Sequence, residues 1–224
     1  NSRTKVALFK DGVMIKNLLY RSFTSGDVER LFSLYPITNS IVSSVANMEP
    51  AVVNALNRLS CKFVLFDHLT PLPIKNCYQT PETLGHDRIA AAVGATYLSP
   101  GENLLIVDAG SAVTYDFVSA EHGYLGGNIA PGIKMRLAAL NQMTKRLPKV
   151  DVEPDALTPL FGKNTKEAMA AGVVRGLIFE VKGYMRQLKE QKAVFKNYVT
   201  GGYAPYILNA IKENDVVGEP HLVL

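Results

Sequence analysis

The chain has 224 residues, 47% of them hydrophobic and 20% charged, enough to bury one large core or two modest ones in a globular fold. No apolar run reaches the ~20 residues that span a bilayer, and the net charge of +4 suits an anionic substrate. The basic residues are dispersed, without interleaved aromatics, which argues against nucleic acid.

Arg3 to Lys10 alternates as a strand, Asp11-Gly12 is a two-residue hairpin turn, and Val13 to Tyr20 is the returning strand. Ser25-Gly26-Asp27 starts a helix carrying Val28, Leu31, Phe32 and Leu34, which Pro36 stops. A short strand follows over Ser40 to Val45. Glu49-Pro50 opens a helix with Val52, Val53, Leu56 and Leu59 on one face, and Lys62 to Phe66 is the next strand. The cysteines, Cys61 and Cys77, have no CxxC or zinc spacing and read as free packing thiols of a reducing compartment. With no secretory signal at the start, the expected location is cytoplasmic. Because the sequence begins on Asn1 without an initiator Met, a further upstream segment is expected.

Leu69 to Pro81 is punctuated by Pro71, Pro73 and Pro81, too stiff and too polar for helix. It delivers the block Tyr78-Gln79-Thr80-Pro81-Glu82-Thr83-Leu84-Gly85-His86-Asp87-Arg88, which runs into the small-residue helix Ile89 to Ala95. Asp87 then stands at or near a helix N-terminus, where the helix dipole and free N–H groups favour a carboxylate. It reads either as a base or as a plain cap. Beside a plain cap, Arg88 reads as a solvated side chain or as a structural partner of Asp87 or of a helix carboxylate.

Ser99-Pro100-Gly101-Glu102-Asn103 breaks that helix and marks a boundary between domains 1–100 and 101–224. Beyond it, Leu104 to Val118 reads as two strands about a tight Asp108-Ala109-Gly110-Ser111 turn. The first strand is apolar throughout until it ends on Asp108, a carboxylate that needs a cation, hydrogen bonds or water. Gly110 permits close approach to the backbone, and Ser111 and Thr114 add donors of the kind that cradle phosphate. The same residues also suit an ordinary hairpin turn. Tyr124 to Ala130 is a third strand, Pro131-Gly132 starts a helix through Leu140, and Leu147 to Leu160 is extended. Gly162-Lys163-Asn164-Thr165 introduces the longest helix, Lys166 to Gln191. A strand over Val194 to Thr200, a helix over Tyr203 to Asn214 and a last strand begun at His221 complete the chain.

The first half therefore orders as β-β-α-β-α-β and the second as β-β-β-α-α-β-α-β, a repeat of element order rather than of sequence. Duplicated α/β domains with facing phosphate turns are expected to form a nucleotide clamp, the first lacking a leading strand that would precede Asn1.

The ordered set Tyr78…Pro81…Leu84-Gly85-His86-Asp87-Arg88, Asp108-Ala109-Gly110-Ser111-Ala112-Val113-Thr114, Gly126-Gly127-Asn128-Ile129-Ala130-Pro131-Gly132, Gly162-Lys163-Asn164-Thr165 and Gly201-Gly202 resembles type III pantothenate kinase over nearly the whole chain. The resemblance implies two ribonuclease-H-like domains of the actin-like, sugar-kinase and heat-shock ATPase superfamily, with mixed sheets flanked by helices. It implies ATP-dependent phosphorylation of pantothenate to 4'-phosphopantothenate, the opening step of coenzyme A biosynthesis. By motif position, Asp87 would be the catalytic base, with Tyr78, Gly85, His86, Asp87 and Arg88 around pantothenate and Thr165 reaching it from the partner subunit of a homodimer. Asp108 would hold K⁺ or NH₄⁺. Gly110 and Ser111, with Asn1 and Ser2 at the end of an upstream phosphate turn, would contact the nucleotide, which carries Mg²⁺. Two departures stand out: the absent leading turn, which in the family carries an acidic residue near metal and phosphate, and Ser111, where many members carry Thr. Two other functions remain open, another small-molecule kinase of the superfamily and a catalytically idle accessory homologue.

Overall fold

A computed structural model describes residues 4–43, 48–60, 62–153, 158–191 and 195–224. Asn1, Ser2, Cys61 and the end of the strand expected over Ser40 to Val45 lie outside the described residues. Contacts divide the chain into two compact units, Asn1–Pro71 with Thr80–Asp87 and Leu224, and Leu72–Gln79 with Arg88–Val223.

In the first unit, β1 (Thr4–Lys10) and β2 (Val13–Tyr20) form an antiparallel hairpin. Its turn has Asp11 at φ 51° and Gly12 at φ 77°, the two left-handed residues of a turn that matches strand twist. Helix α1 (Ser25–Leu34) is capped one residue earlier than the sequence suggests: Thr24 and Asp27 exchange side-chain and backbone hydrogen bonds as a capping box. Strands β3 (Asn39–Val42) and β4 (Lys62–Leu65) pair in parallel. Their crossover is α2 (Pro50–Leu59), with proline in its first turn where no amide hydrogen is needed. Val28 of α1 packs with Val52, Ala55 and Leu56 of α2 as the unit's core.

Helix α3 (His86–Leu98) follows a single 3₁₀ turn at Pro81–Thr83. From Arg88 onward it groups with the second unit, ahead of the boundary expected near residue 100. That unit holds β5 (Asn103–Ala109), β6 (Ala112–Ser119), β7 (Gly123–Pro131), α4 (Ile133–Gln142), α5 (Thr165–Glu190), β8 (Phe195–Thr200), α6 (Ala204–Ala210) and β9 (Val216–Gly218). The sheet order is β7-β6-β5-β8-β9: β6 and β7 run antiparallel on one side of β5, and β8 and β9 run parallel on the other.

Side chains alternate across β5. Leu105, Val107 and Ala109 join Val113 and Tyr115 in one core with Ile133, Leu137, Val174, Leu177, Ile178 and Ile207 of the helices. Asp116 is opposite Ile106, on the other face, which α3 covers through Arg88.

Two expectations at the C-terminus are corrected. The helix after Gly202 ends at Ala210, not Asn214, and the last strand is Val216–Gly218, not His221 onward. The β-branched pair Val216-Val217 takes the ladder beside β8. Leu222 is instead buried, with its carbonyl against Gly94 of α3, where an added Cβ would stand 2.6 Å from the oxygen. The first unit keeps its hairpin and its parallel pair as separate two-stranded sheets, whereas in the second unit β5 joins the corresponding two pieces.

Candidate active site

Asp108 closes β5, half-buried, in register with Thr114 of β6 and Thr200 of β8. It therefore stands at the carboxyl ends of two parallel strands, where α/β sheets place their ligands. The following turn is tight, with the Gly110 amide donating to the Ala112 carbonyl at 3.0 Å. Two more segments tie into it. The Gly132 amide, ahead of α4, donates to the Ser111 carbonyl at 3.1 Å, and the Tyr203 amide, beyond β8, donates to the Ala109 carbonyl at 2.9 Å.

Glycine is required at this junction. Gly201 has φ +92°, and a Cβ on it would collide with Asp108 Oδ1 and lie 2.6 Å from the Ala109 carbonyl oxygen. A Cβ on Gly132 would lie 2.5 Å from the Gly110 oxygen. The Asp108 carboxylate is an oxygen ligand of the type that could hold a hard cation, and the bare backbone of Gly110 leaves room for close approach to the chain. The Asp-Ala-Gly-Ser stretch is thus the tight hairpin turn between β5 and β6. Ser111 is exposed beside it.

A second cluster lies deeper, on the opposite face from the main core. Arg88 Nε donates to Asp116 Oδ1 at 2.8 Å, Arg88 Nη2 lies 2.7 Å from the same oxygen, and the Tyr124 hydroxyl donates to it at 2.7 Å. The side chains of Arg88 and Asp116 are 5% and 1% exposed. Burial works against the charge on Arg88, and the bond and charge of Asp116 more than offset it, so the guanidinium pKa is raised. Burial, then the Asp116 charge, push the Tyr124 hydroxyl well up, holding it neutral.

Tyr78 completes this cluster. The Lys75 carbonyl accepts the Tyr124 amide at 2.8 Å, and the Tyr124 carbonyl accepts the Cys77 amide at 2.9 Å. The proline-rich connection is thereby laid against β7, and the Arg88 guanidinium sits 5.6 Å from the Tyr78 ring centre. The carboxylate that Arg88 meets is Asp116 of β6, 28 residues along the chain.

In the first unit, Gly85 and His86 are half-buried and Asp87 is exposed in the first turn of α3. The His86 ring meets Phe66 edge-on at 5.1 Å, and its Nδ1 is buried without a hydrogen-bond partner among the described residues. Thr165, exposed, opens α5. The Asn164 side chain caps that helix by accepting the Glu167 amide at 3.0 Å. Gly162 is packed so closely under the first turn that a Cβ would lie 2.6 Å from Ala168 Cα.

Sequence reasoning missed Asp116, Tyr124, and a third polar group. Arg136 reaches Glu180 with Nη1 at 2.6 Å and Nη2 at 2.7 Å, and Tyr115 donates to Glu180 at 2.9 Å. Asp116 did carry a signal: a carboxylate midway along an apolar alternating strand, opposite Ile106. Glu180 lies on a long helix with charged neighbours and carried none.

A family model described as type III pantothenate kinase matches residues 1–187. The type III pantothenate kinase of Phocaeicola vulgatus is 40% identical over 90% of this chain and 83% of its own length. That of Bacteroides fragilis is 41% identical over 90% and 82%, and that of Christiangramia forsetii 34% identical over 100% and 91%. A solved Campylobacter jejuni protein described as a Baf family transcriptional activator superposes with a TM-score of 0.56 at 23% identity, over 93% of this chain and 85% of that one. That likeness concerns the fold.

Proposed function

The chain belongs to the type III pantothenate kinase family and phosphorylates pantothenate with ATP in coenzyme A biosynthesis; from that premise we propose how its residues divide the work. Asp87 is the catalytic base. The pantothenate hydroxyl oxygen attacks the terminal phosphorus of ATP, the bond from that phosphorus to the ADP oxygen breaks, and the hydroxyl proton passes to the Asp87 carboxylate. Such a base contributes typically ~10²–10⁴ in rate.

Tyr78, Gly85, His86 and Arg88 line the pantothenate pocket, and Thr165 reaches it from the partner subunit of a homodimer. The exposed place of Thr165 at the head of α5 supports that assignment. Gly110 and Ser111 face the nucleotide phosphates.

Asp108, at the carboxyl ends of β5 and β8, would hold a monovalent cation, K⁺ or NH₄⁺. When bound, that cation and Mg²⁺ on ATP would supply positive charge against the phosphates, the main need of phosphoryl transfer. The residues do the rest by position: Gly201, Gly110 and Gly132 leave the backbone bare, and Asp108 fixes the charge.

The two units are read as duplicated ribonuclease-H-like domains. The support is that a hairpin followed by a parallel pair occurs in both. A reducing cytoplasm suits the thiol of Cys77, which is free.

The observation that carries this reading is Asp108 at the carboxyl ends of β5 and β8, closed in by Gly201. The test is ADP release with ATP and pantothenate, against acetate, hexoses or no acceptor. Release that requires pantothenate supports the reading; nucleotide binding with no acceptor-dependent release overturns it.

A further inference from the structure

We propose that Asp116 is the positioning residue of the pantothenate pocket, clasping Arg88 from inside the sheet so that its guanidinium has one orientation. The inference rests on the reading that Arg88 lines that pocket.

The clasp acts in two directions. Edge-on, Arg88 Nε and Nη2 both converge on Asp116 Oδ1, at 2.8 and 2.7 Å. Face-on, the Tyr78 ring stands 5.6 Å from the guanidinium carbon. An Arg fork held on its edge and on its face has little rotational freedom left. Tyr124, at 2.7 Å from the same oxygen, fixes the carboxylate in turn.

The strand beside it is shaped to make room. A Cβ on Gly127 would strike the Tyr115 carbonyl oxygen and lie 2.7 Å from Asp116 Oδ1 and 2.8 Å from Arg88 Nη2, and Gly126, at φ +128°, leaves its Cβ space 3.6 Å from Tyr78. Both glycines of the Gly126-Gly127 pair therefore abut the clasp.

Stability does not account for this arrangement. Desolvating two charges commonly costs as much as their attraction returns, and apolar residues of like volume do as well or better. Asp116 Oδ2 is moreover buried with no hydrogen-bond partner among the described residues, a further cost. Orientation is what the pair supplies: a substrate-binding group displaced by about 1 Å can lose about a hundredfold in rate.

The test measures kcat and the KM of each substrate for Asp116→Asn, Arg88→Ala and the double variant. Asp116→Asn is expected to raise the pantothenate KM by roughly ten- to a hundredfold, the range for residues that orient a ligating group, with the ATP KM within about twofold. On the Arg88→Ala background it should add no further rise. If Arg88→Ala raises the pantothenate KM and Asp116→Asn does not, the inference falls and the pocket reading stands. If Arg88→Ala leaves that KM unchanged, the pocket reading falls first. Equal rises in both KM values, or an additive double variant, mean a merely structural role and overturn the inference. Should Asp116→Asn not fold, Tyr124→Phe removes one donor from Oδ1; it should raise the pantothenate KM several-fold, and an unchanged value counts against the clasp.

Discussion

Gly201 lies against Asp108 with no room for a side chain: a Cβ there would strike Oδ1 and crowd the Ala109 carbonyl, and the residue holds φ +92°. One substitution therefore tests the turn as a cation and phosphate site. Gly201→Ala should cost about 1–3 kcal/mol of stability from backbone strain alone. If displaced Asp108 also matters to catalysis, the variant will need a higher K⁺ concentration for half-maximal rate. A shifted melting temperature with an unshifted K⁺ titration would detach Asp108 from the cation.

Asp108 itself gives the companion prediction. Activity of the wild type should vanish when K⁺ and NH₄⁺ are replaced by Na⁺, and Asp108→Asn should lose most of its response to K⁺. The measurement is initial rate against cation concentration. Cation-independent kinetics in the wild type would remove the assignment.

Asp87 stands apart from this turn in sequence, and its proposed part is the proton alone. Asp87→Asn should depress turnover by roughly a hundredfold or more while ATP binding, followed by calorimetry, stays near the wild-type value. Turnover within a few-fold of wild type would mean that the hydroxyl loses its proton elsewhere.

Much of the fold was legible because its signals are local. Asp11-Gly12, Pro36, Pro50 and the apolar run Leu104 to Val107 each dictate backbone geometry within a few residues. What was not legible depends on partners far along the chain. Leu222 reads as the beginning of a strand until Gly94 offers its carbonyl a bare backbone to lie on. Asp87, Asp108 and Arg88 could be singled out from their motifs, yet the partner of Arg88 is 28 residues away. Gly126 and Gly127 were visible as a motif, but the reason for them, a φ of +128° at one and the Tyr115 carbonyl with the Arg88–Asp116 pair against the other, exists only in three dimensions.

The Arg136–Glu180–Tyr115 group gives a pH dependence with a definite sign. Burial raises the Glu180 pKa, but hydrogen bonds from Arg136 and Tyr115 outweigh it and hold the carboxyl below its ordinary 4.5. A carboxylate with a depressed folded-state pKa adds stability that is fully present above 4.5 and fades as pH falls through the lower folded value. With the Glu180 side chain 40% exposed, solvent screening limits this to about 1 kcal/mol or less. Melting temperatures of wild type and Glu180→Gln should thus differ by a constant few degrees near neutral pH and converge in acid. A gap that widens as pH falls would reverse the sign.

Asn164 and Thr165 adjoin at the head of α5 but should separate in their effects. The Asn164 side chain accepts the Glu167 amide at 3.0 Å, so Asn164→Ala should cost about 1 kcal/mol as a lost helix cap. Thr165 is exposed at the first helical position, and no cap depends on its hydroxyl, so Thr165→Val should leave the melting temperature within about a degree. Its proposed part is in a pocket completed by the partner subunit, and there the same substitution should raise the pantothenate KM several-fold without altering the ATP KM. Mixing Thr165→Val subunits with Asp87→Asn subunits sharpens the point. If Thr165 acts across the dimer, a mixed dimer holds one site that pairs an intact Asp87 with a threonine from its neighbour and one inactive site with a valine. Its residual activity should then show the wild-type pantothenate KM. A raised KM in the mixed dimer would place Thr165 in the site of its own subunit.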